Sequence, residues 1–92
     1  MSVTVYLSGH LKEFTRGETE LNIPGEYKSV GELLDALWQQ HLKLRDRVLT
    51  EQGEIRQHVN IFMGSSDVKR LDGLQTPLTE PEIHIFNAVS GG

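Results

Sequence analysis

A chain of 92 residues is a single small domain, of a size that buries only about two-thirds of the surface its unfolded form exposes. Hydrophobic residues at 37% are too many for a disordered segment, and no apolar run is long enough for a membrane span. Thirteen acidic against nine basic residues leave a formal charge of −4 without a basic cluster, which argues against nucleic acid as a partner. The absence of cysteine excludes disulfides, thiolate nucleophiles, Cys-based zinc sites and iron–sulfur ligation.

The first residues, Met1 to Leu7, lack the basic and apolar regions of a secretory signal, so a cytoplasmic setting is expected. Val3-Thr4-Val5-Tyr6-Leu7 alternates as a half-buried strand does. Gly9 ends it, and a short connection follows with Leu11 and Phe14 as core anchors. Glu20-Leu21-Asn22-Ile23 alternates again and stops at the turn pair Pro24-Gly25, giving a hairpin.

Ser29-Val30-Gly31-Glu32 fits a capping box, in which serine and glutamate satisfy each other's orphan amides. Behind it Val30, Leu33, Leu34, Leu37 and Trp38 recur at helical spacing and form one apolar stripe. Leu44, Val48 and Leu49 suggest a second short helical piece, with a turn at Gln52-Gly53-Glu54. Val59-Asn60-Ile61-Phe62-Met63 is a third strand, closed by Gly64-Ser65-Ser66-Asp67, with Val68-Lys69-Arg70-Leu71 as its expected hairpin partner. Leu74 and Leu78, in the connection that follows, are placed to plug the end of the core. Ile83-His84-Ile85-Phe86 is the last strand. No repeat, low-complexity tract or linker interrupts the chain.

Two hairpins flank one main helix in this order. A right-handed crossover through that helix brings the final strand into the middle of a mixed sheet. The expected fold is α+β: a ubiquitin-like β-grasp over residues 1–92, with the helix packed on one face and a flexible tail from 87 to 92. If Val3, Val5, Leu7, Val59, Ile61, Met63, Ile83 and Ile85 face the helix, then Tyr6, Phe62 and Phe86 face away on adjacent strands. Three rings on an open sheet face favour a partner-docking surface over scattered exposure.

Nothing in the folded body has the pattern of a catalytic site. The four histidines, His10, His41, His58 and His84, fall in different elements without metal-ligand spacing, and no G-x-S-x-G, G-x-G-x-x-G or Walker pattern occurs. Glu51, Glu54, Asp67 and Asp72 read as solvated loop carboxylates. The end of the sequence differs. Ala88-Val89-Ser90-Gly91-Gly92 follows the central strand, and from Asn87 six extended residues reach at most about 20 Å. Two glycines have no side chains to obstruct a narrow channel, so such a tail suits delivery of a terminal carboxylate into another protein.

The stretches Val59–Met63, Asp67–Leu78 and Ala88–Gly92 resemble the MoaD/ThiS family of ubiquitin-like sulfur carriers, and within it the CysO-like branch. The likeness covers nearly the whole chain, including the helical segment around Arg47-Val48-Leu49. It departs at Gly64-Ser65-Ser66-Asp67, where relatives often carry Asn-Gly-Glu-Asp, at Thr79-Glu80-Pro81-Glu82, and at Asn87, where many have proline. The resemblance implies that an E1-like adenylating enzyme uses ATP to activate Gly92. A sulfur donor then converts it to a thiocarboxylate, and a downstream synthase takes the sulfur for cysteine, molybdopterin, thiamin or a thio-metabolite. The carrier itself would bind no cofactor or metal and supply no catalytic group. Gly91, Ser90, Val89 and Ala88 would form the approach, and Phe86, Phe62 and Tyr6 the docking face. Two other readings stay open: a protein modifier conjugated to lysines through Gly92, and a non-covalent interaction module with an inert tail.

Overall fold

The computed structural model describes residues 2–87. Val3, Val5 and Leu7 point inward from strand β1, Ser2–Leu7. The chain then turns through a 3-10 helix, Gly9–Phe14, which buries Leu11. The hydroxyl of the buried Thr15, set between the carbonyls of Lys12 and Glu18, closes that connection. Strand β2, Glu20–Pro24, pairs antiparallel with β1 and buries Leu21 and Ile23.

Helix α1, Val30–Gln40, buries all five residues of the apolar stripe. The Ser29 hydroxyl accepts from the Glu32 amide at 3.1 Å, as a capping box requires. The return bond differs from expectation. The Glu32 carboxylate accepts from the amide of Lys28, one residue before the cap, at 3.1 Å. Helix α2, Leu42–Val48, follows after His41 and buries Leu44 and Val48. A bridge between Leu49 and Ile55 then closes a small turn through Gly53.

Strand β3, Val59–Met63, is paired with β4, which is only Ser66–Asp67. The expected partner, Val68–Leu71, is not a strand. Gly64, at φ 60, lets the chain reverse at once, so pairing is complete by Asp67. The Asp67 carboxylate then accepts from the Lys69 amide at 2.9 Å and starts a 3-10 turn, Val68–Arg70, that drops Val68 into the core. Asp67 is therefore a half-buried capping residue and not a solvated loop carboxylate. A further 3-10 turn, Gly73–Gln75, precedes β5, Glu82–Asn87. Asn87 pairs with Val59 as part of β5, so the tail expected from 87 starts no earlier than 88. Residues 88–92 lie outside the described residues.

The sheet order is β2-β1-β5-β3-β4, with β5 parallel to β1 and antiparallel to β3. This is the β-grasp arrangement. All eight strand residues expected to face the helix are buried, and Leu74 and Leu78 pack against the core's edge. Each such aliphatic side chain contributes about 1.5–3 kcal/mol by leaving water. The fold thus holds β5 as a central strand that ends at Asn87, paired with Val59.

Candidate docking face and tail exit

Strand pleating sends alternate side chains to the face opposite α1. Cross-strand register then aligns them into rows. Tyr6 on β1 lies opposite His84 on β5, and His84 lies opposite Phe62 on β3. The row ends in carboxylates on both sides, since Glu20 pairs with Tyr6 and Asp67 with Phe62. Phe86 stands one row on, opposite Asn60.

These side chains form two stacked pairs. Tyr6 and His84 have ring centroids 4.8 Å apart and planes 14° from parallel. Phe62 and Phe86 are 5.6 Å apart at 30°. All four residues are half-buried, each covered on one side by its neighbour and open on the other. The His84 Nε2 also lies 3.5 Å from the Glu82 carboxylate. The structure thus brings Tyr6, Phe62 and Phe86 onto one face, as their parity implies.

Sequence reasoning passed over two members of this face. His84 reads as one of four scattered histidines, although it shares the parity of Phe86 two residues on. Leu71 falls in a run whose pattern suits a strand. It instead lies after the 3-10 turn, 51% exposed, and lines a shallow hollow with Phe62, Ser65, Ser66, Asp67 and Arg70. No periodicity marks it, because its position depends on how quickly the chain reverses at Gly64.

Among the described residues no group of His, Asp and Glu could hold a metal ion. No helix among them is long and apolar enough to cross a membrane. Glu51, Glu54 and Asp72 are exposed. The described aromatic face has carboxylates at its fringe, Glu20, Glu82 and Asp67. The tail residues Ala88, Val89, Ser90, Gly91 and Gly92 lie outside the described residues.

The sequence model of the ThiS family matches residues 5–92. Small archaeal modifier protein 3 of Haloferax volcanii is 34% identical over 65 residues, which is 70% of this chain and 70% of that protein. A chain in the Amycolatopsis orientalis BexX/CysO complex superimposes with a TM-score of 0.85 at 25% identity, covering 98% of this chain and 99% of that one. SAMP1 from Haloferax volcanii superimposes with a TM-score of 0.83 at 28% identity, with full coverage of both chains.

Proposed function

The chain belongs to the ThiS family, and on that premise we propose that it is a sulfur carrier loaded at the carboxylate of Gly92. Its relatives are small ubiquitin-like carriers and modifiers, not catalytic enzymes, and include CysO-like structures. The observation that supports loading at Gly92 is the course of β5. This central strand holds Asn87 against Val59, and the sequence then runs only five residues to Gly91-Gly92, at most about 18 Å when extended.

A carboxylate is ionised at neutral pH and is a poor electrophile. Activation therefore needs a better leaving group. In the proposed sequence an E1-like enzyme directs a carboxylate oxygen of Gly92 onto the α-phosphorus of ATP. Pyrophosphate leaves and an acyl-adenylate forms. A sulfur donor attacks the acyl carbon, AMP leaves, and the terminus becomes a thiocarboxylate. A downstream synthase then receives the sulfur, and the CysO-like character favours cysteine or a related thio-product. ATP is consumed by the partner, and the carrier binds no cofactor. A cytoplasmic setting supplies the ATP.

The face carrying Phe86, Phe62 and Tyr6 is the proposed docking surface for the adenylating enzyme. Apolar rings on an edge-free central region of a sheet bury well against a partner, and the half-buried stacks are already ordered. The archaeal relatives, named as modifiers, favour a second reading, in which the activated Gly92 is attacked by lysine amines of other proteins.

The test is the intact mass after incubation with an E1-like enzyme, ATP and sulfide. A gain equal to exchange of one oxygen for one sulfur, absent when Gly92 is deleted, is the expected result. No gain with an enzyme active on another carrier overturns the reading. Conjugates on lysines, formed without any thiocarboxylate, favour the modifier reading.

A further inference from the structure

The end of the sheet at which β5 finishes carries a positive hollow. Phe14, Lys43, Asp46, Arg47 and Arg56 line it. They come from three separate stretches: the 3-10 helix after β1, helix α2, and the loop before β3. The fold fixes the two arginines. The Arg47 guanidinium lies over the Phe14 ring, 4.9 Å from its centroid. The Arg56 Nε donates to the Asp46 carbonyl at 2.9 Å, and its amide donates to the Val48 carbonyl at 3.0 Å. The exposed Asp46 carboxylate turns to Arg45, at 3.6 Å.

Lys43, Arg47 and Arg56, three of the nine basic residues, line the hollow with Arg45 next to it in the chain, and Asp46 is the one acidic residue in that lining. A chain of net charge −4 therefore has a basic pole. The expectation of no basic cluster fails: Lys43, Arg45 and Arg47 fall within five consecutive residues, and the fold brings Arg56 to them.

The position of this pole is what gives it meaning. The carbonyl of Arg56 accepts from the amide of Val59, and Val59 pairs with Asn87, the last residue of β5. The 3-10 helix bearing Phe14 begins directly after Ser8, whose amide donates to the Ile85 carbonyl. The hollow thus borders the tail exit, while the fringe of the aromatic face is acidic at Glu20, Glu82 and Asp67.

We propose that the hollow formed by Phe14, Lys43, Arg47 and Arg56 docks an acidic surface segment of the enzyme that receives the tail, and orients the carrier for tail entry. The proposal rests on the carrier reading for the identity of that enzyme. Two surfaces of opposite charge, one apolar with an acidic fringe and one basic at the exit, define a rotation as well as a site. Long-range attraction then speeds productive encounter and weakens with salt.

Two measurements test it. In the first, the isotopically labelled full chain is titrated at low salt with an oligoglutamate peptide as the probe. Amide shifts are expected to centre on Phe14, Lys43, Arg47 and Arg56, and to vanish in Lys43→Glu or at high salt. Shifts spread evenly over the surface overturn the proposal, as do stronger shifts at the same residues from a single-stranded oligonucleotide. In the second, adenylation is followed against carrier concentration. Lys43→Glu should raise KM roughly tenfold at low salt with kcat unchanged. Lys28→Glu, an equal charge change at the opposite end of the sheet, should leave KM alone. Equal KM values for the two variants overturn the proposal. If the wild-type chain is never adenylated, the carrier reading fails, and the peptide titration still decides this one.

Discussion

The imidazole of His84 stacks on the ring of Tyr6 at 4.8 Å, joining β5 to β1 across the open face of the sheet. With Phe62 stacked on Phe86, every ring on that face is held by another, so a partner meets a surface ordered in advance. Phe86→Asp should then weaken docking to the adenylating enzyme on the order of tenfold or more, as loss of an apolar anchor does. Phe86→Leu, which keeps most of the apolar area, should recover much of it. The check is the concentration dependence of adenylation beside a thermal melt. Unchanged kinetics for a folded Phe86→Asp chain would remove the aromatic face from the mechanism.

Leu37 is fully buried where α1 crosses the sheet. Leu37→Ala leaves a cavity there and should cost ~2–5 kcal/mol. Urea unfolding measures this directly. A loss well under about 1 kcal/mol would contradict the helix register, because an exposed leucine on a helix surface costs far less.

Most of the fold was legible because it rests on local periodicity. The five-residue stripe of α1 and the alternation of β1, β3 and β5 each have one amphipathic solution, and one helix between two hairpins leaves few topologies. What escaped reading depended on geometry that spacing does not encode. The apolar and β-branched content of Val68–Leu71 suits a strand, yet the reversal at Gly64 completes pairing by Asp67, and Val68 is more stable filling the core. That Tyr6, Phe62 and Phe86 share one face was legible through parity. His84 shares the same parity but reads in the sequence as a lone histidine without metal-ligand spacing, and its stacking on Tyr6 emerges only with the register. The basic pole was legible in part, since Lys43, Arg45 and Arg47 lie within five residues, but Phe14 and Arg56 join them only when three connections fold together.

Ser29 caps α1 through its hydroxyl, while the Glu32 carboxylate holds the Lys28 amide. Ser29→Ala leaves the first-turn amide of Glu32 without its partner and should cost ~0.5–2 kcal/mol. Glu32→Gln keeps an acceptor oxygen and loses only the charge near the helix N-terminus, about 0.3–1 kcal/mol. Chemical denaturation of the two variants should therefore rank Ser29→Ala as the more destabilised. The reverse order would mean that the charge, and not the hydroxyl bond, anchors this end of the helix.

Gly31 sits in the first turn of α1 under the 3-10 turn Gly73–Gln75. A Cβ at this position would lie 3.0 Å from the Leu74 carbonyl oxygen and 3.4 Å from its Cβ. In an exposed helix Gly→Ala is stabilising by roughly 0.5–1 kcal/mol, because alanine loses less backbone entropy on folding. Here the obstacle is backbone, which cannot swing aside as a side chain would. The connection is also tied down, since the Val30 amide donates to the Thr76 carbonyl at 3.0 Å and the Asp72 amide to the Thr76 hydroxyl at 3.0 Å. Gly31→Ala must push α1 and this connection apart, so the expected outcome is a net loss of about 1–3 kcal/mol, as for other overpacked sites. Gly9→Ala is the comparison, because a Cβ there meets nothing within 4 Å. Parallel thermal melts should show Gly31→Ala well below wild type and Gly9→Ala close to it. A stabilised Gly31→Ala chain would mean that the connection yields freely, and that Leu74 is not held against the helix as the structure places it.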